Sequence, residues 1–83
     1  MIDKVKLEKV LDKYPIMETL LLAGVLSQKM VRELLDIDRW LMQDVYKELV
    51  VAESVAGTSS SCFKATPECL KYLQERRLQK NAK

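Results

Sequence analysis

Apolar side chains recur at helical spacing along most of this chain, beginning near its N-terminus. In the segment 3–14 they fall on one face, formed by Leu7, Val10, Leu11 and Tyr14. Asp3 is a good N-cap, and Pro15 disfavours helix at the residue before it, so a first helix is predicted here. A basic stripe lies beside the apolar face, formed by Lys6, Lys9 and Lys13. Such a stripe is more often a solvated face, but it also fits a dimerisation helix that offers lysines to phosphate.

Two short helices are predicted next. Residues 16–23 are apolar nearly all round, which predicts the most buried helix, and Gly24 suits the position just after its end. Ser27 is the predicted N-cap of a helix over residues 28–35. Its core-facing residues are predicted to be Val31, Leu34 and Leu35.

A third helix follows the turn at residues 36–38, with Asp38 as its N-cap, and runs from Arg39 to about Val50. Its predicted buried side is formed by Met42, Val45, Tyr46 and Leu49. The outward side carries Arg39, Trp40, Gln43, Asp44 and Lys47. An outward Trp marks a contact surface, unless Trp40 packs against a terminal helix of the same chain. Both interpretations stay open at the level of sequence.

The pattern then changes to a β-hairpin. Its first strand is predicted from Val50, Val51 and Val55, the turn from residues 57–60, and the second strand from residues 61–65. Alternation turns Phe63 towards the core and Cys62 and Lys64 to the other face. Thr66-Pro67-Glu68 then predicts the start of a last helix towards Lys80, because Thr caps, Pro suits the first position and Glu favours the first turn. Its predicted core contacts are Leu70 and Leu73.

Length and composition narrow the function classes. Eighty-three residues predict one domain, which we divide into an N-terminal helix (1–15), a helical core with the hairpin (16–66) and a C-terminal helix (67–83). Without histidine, a glycine-rich phosphate loop or metal-ligand spacing, we expect no enzyme, no metal and no cofactor. No apolar run is long enough for a membrane span and the N-terminus has no signal-peptide pattern, so a cytoplasmic protein with two reduced cysteines is expected.

Charge is unevenly distributed along the chain. Residues 16–63 contain four basic and seven acidic side chains, whereas residues 64–83 contain six basic and two acidic ones. The central segment is therefore acidic and the C-terminal segment basic. That distribution is unusual for a simple DNA-binding protein, because phosphate contacts require cations.

The ordered elements resemble the winged helix-turn-helix family of small prokaryotic regulators over about residues 16–72. The supporting segments are VRELLDIDRWLMQDVYKEL for the helix-turn-helix, VVAESV for the exit into the wing, and FKATPECLKYL for the return strand and last helix. The last feature is similar to MarR-like and PadR-like proteins. The resemblance implies a mainly α fold with a small β-hairpin, framed by additional N-terminal and C-terminal helices.

The resemblance also implies a DNA-reading surface. The third helix would lie in the major groove, where Arg39 and Lys47 reach guanine or phosphate and Gln43 pairs with adenine. Gln28 and Lys29 would touch the flanking backbone, and Lys64 with the hydroxyls of residues 58–61 would contact phosphate or the minor groove. The predicted DNA-binding set is Gln28, Lys29, Arg39, Trp40, Gln43, Lys47 and Lys64.

Four features depart from that family pattern. Asp38 and Asp44 bracket the reading surface with negative charge, although Asp38 is accounted for as a cap. The wing tip reads Gly-Thr-Ser-Ser without Arg or Lys, Glu53 stands where a glycine commonly ends the recognition helix, and Cys69 replaces a small glycine.

Two hypotheses follow. The first is a DNA-binding transcriptional regulator, a homodimer through its first and last helices. The second is a protein-interaction module anchored by Trp40, Leu41 and Val51, with no sequence-specific DNA binding.

Overall fold

The computed structural model describes residues 1–58 and 61–81, with side chains through Gln79. Within those residues the chain is mainly helical and carries a small antiparallel sheet. The helices are α1 (Lys4–Lys13), α2 (Ile16–Ala23), α3 (Gln28–Leu35), α4 (Arg39–Val51) and α5 (Pro67–Asn81). The strands are β1 (Leu26–Ser27), β2 (Val55–Gly57) and β3 (Cys62–Ala65).

The predicted helix caps are confirmed. Side-chain oxygens of Asp3, Ser27 and Asp38 accept hydrogen bonds from backbone N–H groups in the first turns of α1, α3 and α4. The Thr66 hydroxyl accepts from the N–H of Cys69 in the first turn of α5, at 3.2 Å. Each cap satisfies an N–H that no carbonyl in the same helix can reach, so short polar signals fix where these helices begin.

The sheet has one strand more than the sequence predicted. β3 lies in the middle, antiparallel to β2 on one side and to β1 on the other, with Leu26 opposite Phe63. Phe63 and Ala65 are buried, as the alternation predicted, and the Phe63 ring meets the edge of Tyr46 at 5.2 Å between centroids. β1 comprises only two residues, too few for strand alternation to be visible in the sequence.

The boundary between α4 and the hairpin was predicted wrongly. Val50 and Val51 continue the helix rather than starting a strand, and β2 begins only at Val55. β-branched side chains favour strands only weakly, and the burial of Leu49 and Ala52 on either side of the two valines favours the helix. The helix ends at Val51 with Ala52 as its C-cap, and Glu53 then adopts a left-handed conformation with φ of 57°.

A continuous apolar core joins the helices to the sheet. Its fully buried members include Leu7, Met17, Leu21, Leu26, Val31, Leu49, Phe63 and Leu73. Two predictions about burial were wrong. α2 buries only Met17 and Leu21 fully and leaves Ile16 exposed, so it is not the most buried helix, and Leu34 of α3 also faces outward.

Charged side chains join α5 to α1 and α2. The Arg76 guanidinium on α5 donates from Nε to Glu8 on α1, at 3.1 Å to Oε2, and from Nη1 to Glu18 on α2. The hydrogen bond to Glu8 is the main reason that the pKa of Arg76 is raised above its ordinary value. One side chain of α5 therefore ties two other helices to it.

No helix in the described ranges is long and apolar enough to cross a membrane.

Candidate nucleic-acid interface

The start of α3 is held by both its cap and the sheet. The Ser27 hydroxyl accepts from the N–H of Met30 at 2.9 Å, and the N–H of Gln28 donates to the carbonyl of Ser61 at 2.9 Å. Ser27 itself pairs with Cys62 in the sheet. The first residues of α3 are consequently fixed relative to β3, which orients the polar side chains that follow.

The turn between α3 and α4 fixes where α4 begins relative to α3. Asp36 ends α3 in a left-handed conformation with φ of 55°, and the N–H of Ile37 donates to the carbonyl of Arg32 at 3.2 Å. Asp38 then accepts from the N–H of Leu41 at 2.8 Å. Asp is one of the few residues other than Gly that tolerate a left-handed backbone, so the sequence suits this turn.

An open groove of about 360 Å³ runs between α3 and the first turns of α4. We call it the basic groove, and it is lined by Gln28, Lys29, Arg32, Arg39, Met42 and Gln43. The structure thus brings together four residues that the sequence had predicted on two separate helices. Met42 is buried beneath them.

The charge of the basic groove differs from that of the sequence segment containing it. Three of its lining side chains are cationic and none is acidic. Asp44 and Glu48 line the opposite side of α4, against α1, and the Asp38 carboxylate is engaged as a cap. Folding therefore turns Asp44 and Glu48 away from Lys29, Arg32 and Arg39.

Arg32 was missed by the sequence prediction. It lies three residues after Lys29 and four after Gln28, and residues at those spacings share one helix face. That spacing was the signal available in the sequence. Nothing local showed that the face would meet Arg39 across the turn.

The remaining predicted residues lie apart from the basic groove. Lys47 lies against α1 on the other side of α4. Lys64 is exposed on β3, opposite Ala56, and does not line the groove. Of the wing-tip hydroxyls, those of Ser59 and Ser60 lie outside the described residues.

Trp40 is exposed over 72% of its surface. It is therefore not packed under a terminal helix of its own chain, and that interpretation was wrong. The ring stands on the outer side of α4 and lines none of the grooves described on either side of it. A large exposed aromatic of this kind is typical of a contact surface.

The two thiols differ in their surroundings. Cys69 is fully buried, and burial raises the pKa of its thiol to about 11, so at neutral pH it is a protonated apolar core group. Cys62 is half-buried on β3, and neither cysteine forms a disulfide. Within residues 1–58 and 61–81, no three His, Cys, Asp or Glu side chains are grouped as a metal site requires.

Comparison with known proteins gives no match to any family, curated protein or solved structure.

Proposed function

We propose that this chain is a winged helix-turn-helix protein that binds double-stranded DNA through the basic groove and the outer side of α4. The observation that carries the proposal is the grouping of Lys29, Arg32 and Arg39 with no acidic residue in the same lining. Phosphate neutralisation by such cations supplies most of the affinity of proteins for duplex DNA. A compact cationic face beside an exposed helix suits that role.

The topology supports the winged-helix assignment. α3 and α4 are joined by a three-residue turn, and the hairpin β2–β3 follows α4 directly. β1, immediately before α3, pairs with β3 and joins the hairpin to the helix-turn-helix. In this fold the second helix of the unit enters the major groove, and here that helix is α4.

The outer side of α4 offers groups that could read base edges. Arg39 suits the acceptors of guanine, and Gln43 suits the donor and acceptor of adenine. Both side chains are exposed. Gln28 and Lys29, at the N-terminus of α3, would contact the flanking phosphates through their side chains.

The homodimer in this proposal uses α1 and α5. Val5 on α1 and Leu78 on α5 are exposed over 68% and 69% of their surfaces. Side chains join the two helices: Arg76 donates to Glu8, and the Lys4 ammonium group lies 5.4 Å from the centre of the Tyr72 ring. Two such protomers related by a two-fold axis would read a palindromic site.

Fluorescence anisotropy with a labelled mixed-sequence duplex tests the DNA proposal. We expect binding at low salt that weakens steeply as salt rises, because counterions are released from the phosphates. Replacing Lys29, Arg32 and Arg39 together by Ala should abolish binding and flatten the salt dependence. Lys71→Ala, away from the groove, is the control and should change affinity less than about threefold.

An absence of binding at low salt would refute the proposal. Equal weakening by the groove variant and the control variant would also refute it, since the basic groove would then have no special role. Circular dichroism spectra and melting curves of all variants separate loss of contact from loss of fold.

The exposure of Trp40 favours a second candidate function, a protein-interaction module on the same scaffold. Aromatic side chains dominate the energy of protein interfaces, and an exposed Trp is a strong anchor. Trp40→Ala should then abolish self-association or partner binding, measured by analytical ultracentrifugation, while the melting temperature stays unchanged. If Trp40→Ala leaves all association unchanged, this candidate is excluded.

A further inference from the structure

The side of α4 opposite the basic groove forms a second concave surface. α1 packs along this side, and an open groove of about 290 Å³ between the two helices is lined by Lys6, Lys9, Lys47, Glu48 and Val51. A neighbouring depression shares Lys47 and Glu48 and continues towards Lys13, Tyr14 and Leu41. We call the two together the lysine trough.

The trough has an apolar floor. Val51 is exposed over 50% of its surface, and Leu41 at the other end is also exposed. The lysine side chains add their methylene stems to the walls while their ammonium groups stay near water. An apolar side chain of a partner could therefore be buried here without desolvating the charges around it.

The charges at the rim are predominantly positive and unpaired. Four lysines line the trough, namely Lys6, Lys9, Lys13 and Lys47, against the two carboxylates of Asp44 and Glu48. In the part of the chain that the structure describes, none of the four ammonium groups forms an ion pair. The ammonium group of Lys13 lies 5.7 Å from the centre of the Tyr14 ring.

We propose that the lysine trough binds an acidic amphipathic segment of a partner protein, with its apolar side chains on Leu41 and Val51 and its carboxylates on the lysines. Charge complementarity selects an acidic occupant, and the apolar floor selects one with a hydrophobic face rather than a uniformly charged chain. Leu41 to Val51 spans about 15 Å, which accommodates two to three turns of a partner helix. The proposal does not depend on DNA binding and does not involve Trp40.

The test is an NMR titration of the nitrogen-15-labelled chain of 83 residues. The probe is a synthetic peptide of about twelve residues with Leu on one helical face and Glu on the others. A matched peptide with every Glu replaced by Gln is the control. We expect amide shifts confined to α1 and the α1 side of α4 with the Glu peptide, and binding at least tenfold weaker with the Gln peptide.

Two variants locate the site. Lys6→Glu with Lys9→Glu reverses charge at the rim, and Val51→Asp removes the apolar floor at an exposed helix end. Each should weaken binding of the Glu peptide at least tenfold, whereas Lys71→Glu on α5 should leave it within twofold. All these positions are exposed, and melting curves verify that the variants fold.

Failure of the Glu peptide to bind at low salt, or amide shifts elsewhere on the molecule, would overturn the proposal. It would also be overturned if the peptide does not bind while Lys6→Glu with Lys9→Glu weakens duplex DNA binding, because the lysines would then belong to the DNA surface. Loss of DNA binding in the basic-groove variant leaves the peptide result unaffected, so the two proposals fail separately.

Discussion

The two sides of α4 are built from different chemistry although they share one helix. The side facing α3 is cationic and polar, with Arg32 and Arg39 across the groove from each other and no carboxylate in its lining. The side facing α1 has an apolar floor at Val51 and mixes lysines with Asp44 and Glu48. The first suits a phosphate backbone, and the second suits a polypeptide with both acidic and apolar side chains.

The difference shows that the net charge of a segment is a poor guide to the charge of a surface. Residues 16–63 contain more acidic than basic side chains. On the folded helix, however, Asp44 and Glu48 turn to one side and Arg39 and Gln43 to the other. The acidic sequence that argued against DNA binding therefore does not describe the face proposed to bind it.

Both sides of α4 depend on its buried face, so the largest effect is expected from Leu49→Ala. Leu49 is fully buried, and removing its side chain leaves a cavity in the core. The free energy of unfolding should fall by about 2–5 kcal/mol, measured by urea denaturation. Val50→Ala, on the exposed side of the same helix, is the control and should change it by less than about 0.5 kcal/mol. Equal effects would mean that α4 is not held by its Leu49 face.

Arg76→Ala should affect the two sides of α4 differently, because the lysine trough needs α1 in place and the basic groove does not. The substitution leaves Glu8 and Glu18 without their shared partner. We expect a loss of about 1.5–3 kcal/mol in the free energy of unfolding and faster hydrogen exchange in α1 than in α3.

Arg77→Ala is the matched control for that experiment. Its guanidinium is more exposed and lies 3.6 Å from Glu18, so its removal should cost about 0–1 kcal/mol. If hydrogen exchange in α1 responds equally to both substitutions, Arg76 has no special role in holding α1.

A smaller change, an increase in the free energy of unfolding, is expected from a substitution just after the end of α4. Glu53 has a φ of 57°, and a left-handed backbone is unfavourable for any residue with a Cβ atom. Glu53→Gly should raise the free energy of unfolding by about 1 kcal/mol. Glu53→Ala removes the same exposed contact with the Met1 amine but retains Cβ, so it should give no gain. A gain in both variants would mean that the carboxylate, and not the backbone, is unfavourable.

The fluorescence of Trp40 allows ligand binding on the two sides of α4 to be compared without any substitution. Trp40 is the only tryptophan in the chain and lies on the outer side of α4, exposed to solvent. Its emission should resemble that of tryptophan in water and should change when a DNA duplex is added. The acidic peptide, bound against α1, should change it much less. A larger response to the peptide than to the duplex would contradict this assignment of ligands to the two sides.

Much of the local structure could be read directly from residues close together in the sequence. Asp3, Ser27, Asp38 and Thr66 cap helices where predicted, because a cap needs only a short polar side chain and an N–H three residues away. The buried side of α4 and the inward direction of Phe63 followed from periodicity alone. The sequence left open whether Trp40 is exposed or packed against a terminal helix, and only the fold decided between the two.

Only the tertiary structure decided those features that depend on contacts between residues far apart in the sequence. Leu26 and Ser27 become a strand only because β3, more than thirty residues later, supplies hydrogen-bond partners. Val50 and Val51 remain helical because the burial of their neighbours Leu49 and Ala52 outweighs their weak strand preference. Arg32 joins Arg39, and the lysines of α1 meet Lys47 and Val51, only once the helices have packed. The sequence alone therefore determined where the helices begin and which side of α4 is buried. The fold decided which faces meet, because contacts between distant segments leave no local pattern.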